Sequence, residues 1–515
     1  MGDRRLACLV ALVNYGQKCL NILYLNREKR GNSMDISVVN LGLNDVKADA
    51  LVIPVFEDVE CDRLEVKEFY NYAKDNQGLS AKFSEIIVLP TYDKLSAKNI
   101  IFLGLGKKEE FSLNKLRVVA SKVAQKAQAM KKTTVVAFCL DGLLESICSV
   151  AKNVVEGALI GTYKFDKYKS EKKEDEKLAQ LILISNNEND ANCGMERAKI
   201  IASAVNNARD LINEPAEVIT PAKLAQMAQS IDGLEVKVYN RDECKDMGMG
   251  AVLAVGQGSR HEQKFIHMKY TPSGEKRKTV ALIGKGITFD SGGLDIKPPA
   301  SMLDMKGDMA GAAAVLSIMQ RINELKPDVE VHGIIAACEN MPDAVSYKPG
   351  DVLVAMNGKT IEVDNTDAEG RLTLADALCF AENLKPDAII DIATLTGACC
   401  VALGKVASGL LGNDSDLIST LKNKSEEVGE YLWEMPMFEE YFEDLKSEIA
   451  DFKNAGSRYG GTSAAALFLK KFVKDTPWAH LDIAGTSIVT KSLREYTKGP
   501  TGVGVRTLIN YVCSL

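Results

Sequence analysis

The chain has 515 residues, 46% of them hydrophobic, and a formal net charge of −7, which is typical of a globular protein with more than one core. This acidic balance offers no basic surface for nucleic acid, so we expect no nucleic-acid partner. The apolar runs are shorter than the ~20 residues that a membrane-spanning helix needs, so we expect no membrane insertion.

The cysteines indicate a reducing compartment. The chain contains twelve, yet none forms a C-x-x-C pair, and Cys139, Cys338 and Cys379 lie inside apolar strand or helix patterns. Free thiols buried in this way are typical of proteins that carry no disulfide framework. We therefore predict a cytoplasmic protein.

The first 33 residues contain a short apolar stretch, LACLVALV, preceded by Arg4 and Arg5. This order resembles a secretory signal, but no small-residue cleavage site follows it. Met34 then opens a clear strand pattern. We assign residues 1–33 to an N-terminal extension of unassigned structure, which is either poorly ordered or precedes a true start at Met34.

Residues 34–193 alternate between short β-branched runs and one strongly periodic helix, LNKLRVVASKVAQKAQAM. The predicted strands are DISVVNLG, ADALVIPVF, SEIIVLP, NIIFLGLG, TTVVAFCL and AQLILIS. Alternating strands and helices predict a mostly parallel sheet with helices on its faces. We interpret this region as a smaller N-terminal α/β domain.

A polar stretch at 186–194 predicts a loop, and the helical pattern after it ends before Pro215. We take residues 194–211 as a connecting helix and 212–515 as a larger C-terminal α/β domain. Its predicted strands are VALIG, EVHGIIAAC, DAIIDIATL and AHLDIAG, and its predicted helices are GDMAGAAAVLSIMQRINEL, EGRLTLADALCFAENL and SAAALFLKKFV. The fold class is therefore α/β, with a central, mostly parallel or mixed sheet flanked by helices.

The stretch GKGITFDSGG, residues 284–293, follows the predicted strand TVALIG. Its glycine spacing matches neither a dinucleotide-binding fingerprint nor a P-loop, because Phe289 stands at the third glycine position and no G-K-[ST] follows. Lys285 and Asp290 remain as polar residues at the carboxyl end of a strand. Ligands of α/β folds bind at that edge.

Three further acids accompany Asp290 in polar stretches next to apolar elements. Asp308 begins an alanine-rich helix, where a carboxylate also has a purely structural reading at the helix N-terminus. Asp367 and Glu369 stand two residues apart, so an extended backbone would direct both side chains the same way. Four carboxylates that meet in space cannot all remain ionised without cations. Two divalent metal ions would satisfy them.

Histidine does not supply the expected ligands. The chain has four histidines and no H-E-x-x-H pattern, and His480 in WAHLDIAG has the surroundings of a core residue. A metal site would therefore use oxygen donors, with a lysine nitrogen as a further donor where a cation lowers the lysine pKa. Lys297, between Asp295 and two prolines, has an alternative reading as a solvated loop lysine.

Several longer motifs resemble those of the cytosolic leucyl aminopeptidase family of two-metal exopeptidases. The motifs are GKGITFDSGG, MKGDMAGAAAV, NGKTIEVDNTDAEGRLTLADAL, IATLTGA and WAHLDIAGT. The resemblance extends from about Arg209 to Thr507, and NTDAEGR is its most specific part. The N-terminal half resembles the family only in its size and α/β pattern.

The resemblance implies a role for each matching residue. Asp290 and Glu369 would bridge two metal ions, Asp367 would complete one site, and Lys285 and Asp308 would complete the other. Lys297 would polarise the scissile carbonyl, and Arg371 would hold a bicarbonate ion as the general base. The side-chain pocket would contain Met305, Thr394, Gly397 and Thr462.

The resemblance thus implies a metal-dependent aminopeptidase that removes an N-terminal residue, Leu or Met-like, from peptides with a free N-terminus. It implies two divalent ions per subunit, zinc or manganese with magnesium or cobalt as alternatives, and a homohexamer. Two other readings stay open at this point. One is a catalytically idle scaffold or DNA-binding relative, and the other is a phosphate-ester hydrolase that uses the same carboxylates.

Overall fold

The computed structural model describes residues 34–130, 135–143, 146–171, 178–274 and 277–515. The predictions for residues 1–33 lie outside this part of the chain. Among the described residues, no helix combines the length and the apolar character that a membrane crossing requires.

The N-terminal part contains a sheet in the order β1-β6-β5-β2-β4-β3, parallel throughout except for β3 against β4. Its strands are β1 Asp35–Val39, β2 Ala50–Val55, β3 Ile86–Pro90, β4 Asn99–Gly104, β5 Val135–Cys139 and β6 Gln180–Ile184. Each predicted strand of this region is confirmed. The β-branched and apolar runs form strands because they are buried between two helical layers.

Helices cover both faces of this sheet. They are α1 Lys67–Gln77, α2 Leu113–Ala129 and α3 Ile147–Gly161. The apolar sides of α2 and α3 pack on one face, and α1 packs on the other through Tyr70 and Ala73. The sequence pattern predicted α2 alone.

A long helix, α4 Glu188–Asn213, leads out of this sheet. The predicted loop at 186–194 is therefore wrong over most of its length. Asn187 caps the helix by accepting a hydrogen bond from the Asp190 N–H, and Glu188 and Asp190 suit its positive N-terminal end. Helix α4 ends just before Pro215, as predicted. The boundaries proposed for the domains stay predictions.

The larger part contains a sheet in the order β15-β14-β17-β13-β9-β10-β8-β7. Its strands are β7 Glu235–Tyr239, β8 Lys264–Tyr270, β9 Thr279–Asp290, β10 Glu330–Asn340, β13 Ala388–Ala393, β14 Ser408–Gly412, β15 Leu432–Glu434 and β17 Trp478–Asp482. Strands β17, β13, β9 and β10 run parallel. Strands β8 and β7 pair antiparallel with their neighbours, and β14 is antiparallel to β17 but parallel to β15. The predicted mixed sheet is confirmed.

The remaining strands form two small ribbons. They are β11 Val352–Val354, β12 Thr360–Glu362 and β16 Phe452–Lys453 in one, and β18 Ile488–Val489 and β19 Gly499–Pro500 in the other.

Helices flank the large sheet on both faces. They are α5 Pro221–Gln229, α6 Arg241–Asp246, α7 Gly250–Gly256, α8 Pro299–Met302, α9 Ala310–Met319, α10 Ile322–Leu325, α11 Gly370–Asn383, α12 Gly397–Leu403, α13 Ser415–Val428, α14 Gly461–Lys470 and α15 Val505–Val512. Helices α9 and α15 share one core with α4, and α7, α11 and α14 form the core on the opposite face. The predicted helix 307–325 is interrupted, so it forms α9 and α10.

The parallel strands place polar residues along one edge of the large sheet. Strand β9 ends at Asp290, β10 at Asn340 and β17 at Asp482, and β13 ends immediately before Thr394. Asn340 and Asp290 are direct partners in the register of β10 and β9. Helix α9 lies close to this edge, and glycine at position 311 permits this approach. A Cβ at Gly311 would overlap the Ile392 carbonyl oxygen. The candidate site lies at this edge.

Candidate metal centre and active site

Lys285 enters the site from within a strand. It lies in the middle of β9 rather than after it, which corrects the predicted position, since the strand continues to Asp290. Its Nζ lies 2.8 Å from Asp308 Oδ2 and 2.8 Å from Glu369 Oε1. A Cβ at Gly370 would come within 2.6 Å of that Nζ. The glycine of NTDAEGR therefore leaves room for the lysine side chain.

Asp290, Asp367 and Glu369 bring one carboxylate oxygen each to within 4.8 Å of one another. The predicted convergence of these acids is confirmed, but its explanation is wrong. The segment is a turn that leads into α11, and Glu369 already has helical angles, φ −76° and ψ −34°. Asn365 shapes the turn by accepting the Asp367 N–H at 2.7 Å.

Lys297 approaches the same acids from the loop after β9. Its Nζ lies 2.8 Å from Asp290 Oδ2 and 2.5 Å from Asp367 Oδ1. Its side chain is 13% exposed, so the reading as a solvated loop lysine is wrong. The Lys297 N–H donates to the Ser291 carbonyl at 2.9 Å, which fixes the loop against the strand end.

Burial and neighbouring like charges raise the pKa values of aspartates in the cluster. Burial, together with the nearby Glu369 carboxylate, raises the pKa of Asp290 and of Asp308 above the ordinary aspartate value. Burial also raises the pKa of Asp367. For Lys285, burial alone would lower the pKa, but the surrounding carboxylates outweigh it and raise the pKa. The acids thus lack sufficient positive charge, although two lysines lie among them.

Unsatisfied oxygens and the charge balance both fit bound cations. Asp308 Oδ2, Asp367 Oδ1 and both oxygens of Glu369 are buried and have no hydrogen bond of good geometry among the described residues, although lysine nitrogens lie close to three of them. Four carboxylates face two lysines, which leaves a local charge of −2. Hard divalent cations prefer such oxygen donors. The residues present therefore fit a metal centre.

Arg371 lies on the first turn of α11, beside the acidic cluster. Its Nη1 donates to the Asn454 carbonyl at 2.7 Å, whereas its Nε is buried without a hydrogen-bond partner among the described residues. Burial lowers the pKa of Arg371 to about 10. The guanidinium is held by one backbone carbonyl, which leaves other N–H groups for an anion.

Several supporting residues were missed by the sequence interpretation. Asn340 Nδ2 donates to Asp290 Oδ1 at 2.9 Å and to the Thr366 carbonyl at 3.1 Å. Tyr347 also donates to that carbonyl, at 2.7 Å. A polar residue at the end of β10 is a recognisable signal, since β10 is also a buried parallel strand. No comparable signal marks Tyr347, because its partner is a backbone carbonyl.

The residues assigned to the side-chain pocket differ in their surroundings. Thr394 Oγ1 donates to Asp308 Oδ1 at 2.7 Å, and its carbonyl accepts from Lys285 Nζ at 3.1 Å. Gly397 is exposed, and Met305 is half-buried. Thr462 is buried, with its hydroxyl 3.0 Å from that of Thr396. Thr394 thus adjoins the metal cluster directly, while the pocket roles stay predictions.

The α/β fold and the carboxylate–lysine cluster at its strand ends define the class as a metal-dependent hydrolase. The description "Cytosol aminopeptidase family, catalytic domain" matches residues 206–509, and "Cytosol aminopeptidase family, N-terminal domain" matches residues 52–172. The chain belongs to the cytosol aminopeptidase family and is an aminopeptidase. The predicted family is confirmed.

Individual relatives agree along most of the chain. A probable cytosol aminopeptidase of Persephonella marina is 46% identical over 477 residues, covering 90% of this chain and 95% of the relative. One of Aquifex aeolicus is 47% identical over 443 residues, covering 85% and 88%. A solved structure of the bottromycin maturation enzyme BotP has a TM-score of 0.81 at 32% identity, covering 91% of this chain and 99% of BotP. A second BotP structure is a complex with Mn.

Proposed function

We propose that this aminopeptidase removes Leu or Met-like residues from the free N-terminus of peptides and uses two divalent metal ions. Asp290 and Glu369 would hold both ions, Asp367 would complete one site, and Lys285 and Asp308 would complete the other. Ions bound there would lower the pKa of a water molecule, which would then serve as the nucleophile. The observation that carries the proposal is the set of four carboxylates, three buried and Asp367 half-buried, with only two lysines among them.

Lys297 is placed to stabilise negative charge on the substrate. Its ammonium lies between Asp290 and Asp367, and we propose that the scissile carbonyl approaches the acidic cluster beside it. Burial alone would lower the pKa of Lys297, but the carboxylates outweigh it and raise the pKa. A fixed charge at that position favours the transition state over the ground state.

Arg371 is proposed to hold bicarbonate as the general base. The planar guanidinium suits a planar oxyanion, and its Nε has no partner among the described residues. His480 donates or accepts at Nδ1 with Asp391, 2.5 Å away, within a fully buried pair. The Nε2 of His480 is buried without a hydrogen-bond partner among the described residues, so the imidazole has a core partner on one side only. The proposal assigns the proton to the anion held by Arg371.

Zinc and manganese are the proposed metals, with magnesium or cobalt as alternatives. The manganese-bound BotP structure supports this choice, because BotP shares the fold at 32% identity. A homohexamer in the cytoplasm is proposed from the family resemblance. Large apolar side chains such as Leu303 and Val401 are exposed and available for subunit contacts. Light scattering would test the assembly.

The test is hydrolysis of a leucine-coupled chromogenic amide by metal-free protein, measured before and after addition of Mn²⁺ or Zn²⁺. We expect activity only with metal, and none on the N-acetylated substrate, because acetylation removes the amine that the site recognises. Equal rates on both substrates would contradict the exopeptidase assignment. Hydrolysis of a phosphoester with no amide cleavage would favour the phosphatase reading. Inactivity with every metal would favour the idle scaffold.

A further inference from the structure

The strand β13 is joined to α12 by residues 394–397, which we call the 394–397 segment. Thr394, at its start, contacts two candidate metal ligands, because its hydroxyl donates to Asp308 and its carbonyl accepts from Lys285. Any displacement of this segment would therefore shift Asp308 and Lys285. What holds the segment in place becomes a question about the active site.

Asp482, at the end of β17, holds the segment through a fully buried carboxylate. Oδ1 accepts from the N–H groups of Leu395 at 3.2 Å, Thr396 at 3.4 Å and Ala484 at 3.1 Å. Oδ2 accepts from the Thr396 hydroxyl at 2.6 Å. All four donors are neutral groups. They belong to the 394–397 segment and to the backbone just after β17, and together they satisfy the hydrogen-bonding capacity of the carboxylate.

The Thr396 hydroxyl has a defined proton direction. An ionised carboxylate can only accept, so the single hydroxyl proton of Thr396 goes to Asp482. Its lone pairs accept from the Cys399 N–H at 3.1 Å, which caps α12, and from the Thr462 hydroxyl at 3.0 Å. The Thr462 hydroxyl therefore donates its proton to Thr396. The three side chains form a linear chain of hydrogen bonds from Thr462 through Thr396 to Asp482, which we call the relay.

We propose that Asp482 and Thr396 are positioning residues that align the 394–397 segment, and through Thr394 align Asp308 and Lys285, for metal and for the substrate amine. This inference rests on the proposed two-metal function. The relay lies on the side of the cluster that holds Lys285 and Asp308. Its loss should therefore weaken one of the two metal sites and leave the site around Asp367 intact.

The experiment compares Thr396→Val, Thr396→Ser and the wild type. The valine variant keeps the shape but removes the hydroxyl that donates, accepts and caps, whereas serine retains that hydroxyl. Thr486→Val is the matched control, because it removes an equally buried hydroxyl, 2.6 Å from the Ser408 hydroxyl and remote in role from the 394–397 segment. Asp482→Asn is a second variant that keeps the size but removes the charge.

The first measurement is Co²⁺ binding to the metal-free protein, followed by visible absorption, so the readout does not require turnover. We expect Thr396→Val to bind one of two cobalt equivalents about tenfold more weakly, in line with the loss of a hydrogen bond to a charged group. Thr396→Ser should bind both equivalents within about twofold of wild type. Asp482→Asn should follow the valine variant, and Thr486→Val should follow wild type.

The second measurement is steady-state kinetics at saturating metal. We expect the KM of the leucine amide to rise about tenfold in Thr396→Val with a smaller change in kcat, since ground-state alignment of the amine is lost. Wild-type cobalt affinity and KM in Thr396→Val, or failure of Thr396→Ser to restore them, would overturn the inference alone. A wild type that binds no cobalt and cleaves no amide would overturn the proposed function as well. If Asp482→Asn does not fold, the two Thr396 variants decide.

Discussion

Two clusters of buried charged side chains in the described part of the chain have contrasting charge balances: the candidate metal centre, and a cluster between the N-terminal part and the large sheet. This interdomain cluster contains Arg117 on α2, Glu156 on α3 and Arg506 on α15. The carboxylates of Glu430 and Glu495 complete it, and Lys152 lies at its edge. Arg117 Nε lies 3.2 Å and Arg506 Nη2 lies 2.5 Å from the same oxygen, Glu495 Oε1. Arg506 Nε lies 3.3 Å from Glu430 Oε1, and Lys152 Nζ lies 3.7 Å from Glu156 Oε1.

The two regions differ in whether the chain supplies the compensating charge. The interdomain cluster has three carboxylates and three cationic side chains. Burial alone would raise the pKa of Glu495, but Arg506 and Arg117 outweigh it and lower the pKa to about 2. At the candidate metal centre, burial and like charge raise the pKa of Asp290 instead. Fixed arginines make the interdomain cluster structural, whereas the acid excess at the candidate metal centre fits cations taken from solution.

The largest expected effect comes from removing an acid of the metal centre. Glu369→Gln should lower turnover by about 10⁴-fold and reduce bound metal below two ions per chain, because the proposed function makes Glu369 a ligand of both ions. Turnover of the leucine amide and metal content by mass spectrometry measure this. Glu382→Gln, on the same helix and half-buried, is the control and should retain both properties. Two ions per chain in Glu369→Gln would contradict the bridging role.

The second change removes a cation, instead of an acid, from the interdomain cluster. Arg506→Met should lower the free energy of unfolding by about 3–5 kcal/mol, because it leaves buried carboxylates without their cation. Urea unfolding measures the loss, and metal content should not change. The double variant Arg506→Met with Glu495→Met should lose less unfolding free energy than the two single variants together, since one positive and one negative charge are removed at once. A double variant as unstable as the sum of both single variants would contradict this account.

At the candidate metal centre, substitution of Lys297 distinguishes stabilisation of charge on the substrate from metal binding. Lys297→Met should lower kcat by about 10²–10³-fold while both metal ions stay bound, because the proposed role of the ammonium is to stabilise the substrate oxyanion. Lys306→Met is the matched control, since Lys306 donates to the Asn213 carbonyl and pairs with no carboxylate among the described residues. Loss of metal in Lys297→Met would mean that its role is misassigned.

The smallest effect concerns acid stability of the interdomain cluster. The folded-state pKa of Glu495, about 2, lies below its ordinary value of 4.5, so its stabilisation is complete above pH 4.5 and is lost as pH falls towards 2. The loss is roughly 3 kcal/mol over that window, of which roughly 1 kcal/mol falls between pH 5 and 3.5.

Urea unfolding at pH 5 and pH 3.5 tests this window. Glu495→Gln is expected to lose roughly 1 kcal/mol less than wild type between the two pH values, because glutamine does not titrate. Identical pH dependence in both proteins would show that Glu495 keeps an ordinary pKa in the folded state. Activity at pH 7 serves as the control for an intact metal centre.

The sequence by itself predicted the strands of the N-terminal sheet and the central parallel strands of the large sheet, and it named candidate site residues, but it missed helices such as α1 and α3. Apolar runs such as residues 280–283 and 388–392 predict buried parallel strands from their composition, and polar residues just after them predict a ligand-binding edge. The family motifs then assigned Lys285, Asp290 and Glu369. The strand predictions succeed because they rest on local composition, whereas the roles assigned to these residues stay predictions.

Tertiary structure alone decided how those residues meet. The turn at Asp367–Glu369, the passage of Lys285 past Gly370, and the anchoring of the 394–397 segment by Asp482 join residues from distant parts of the chain. The interdomain cluster was equally invisible, since Arg117 and Glu495 are 378 positions apart. No local pattern records such pairs, because the burial that makes a charge costly arises only when the elements pack.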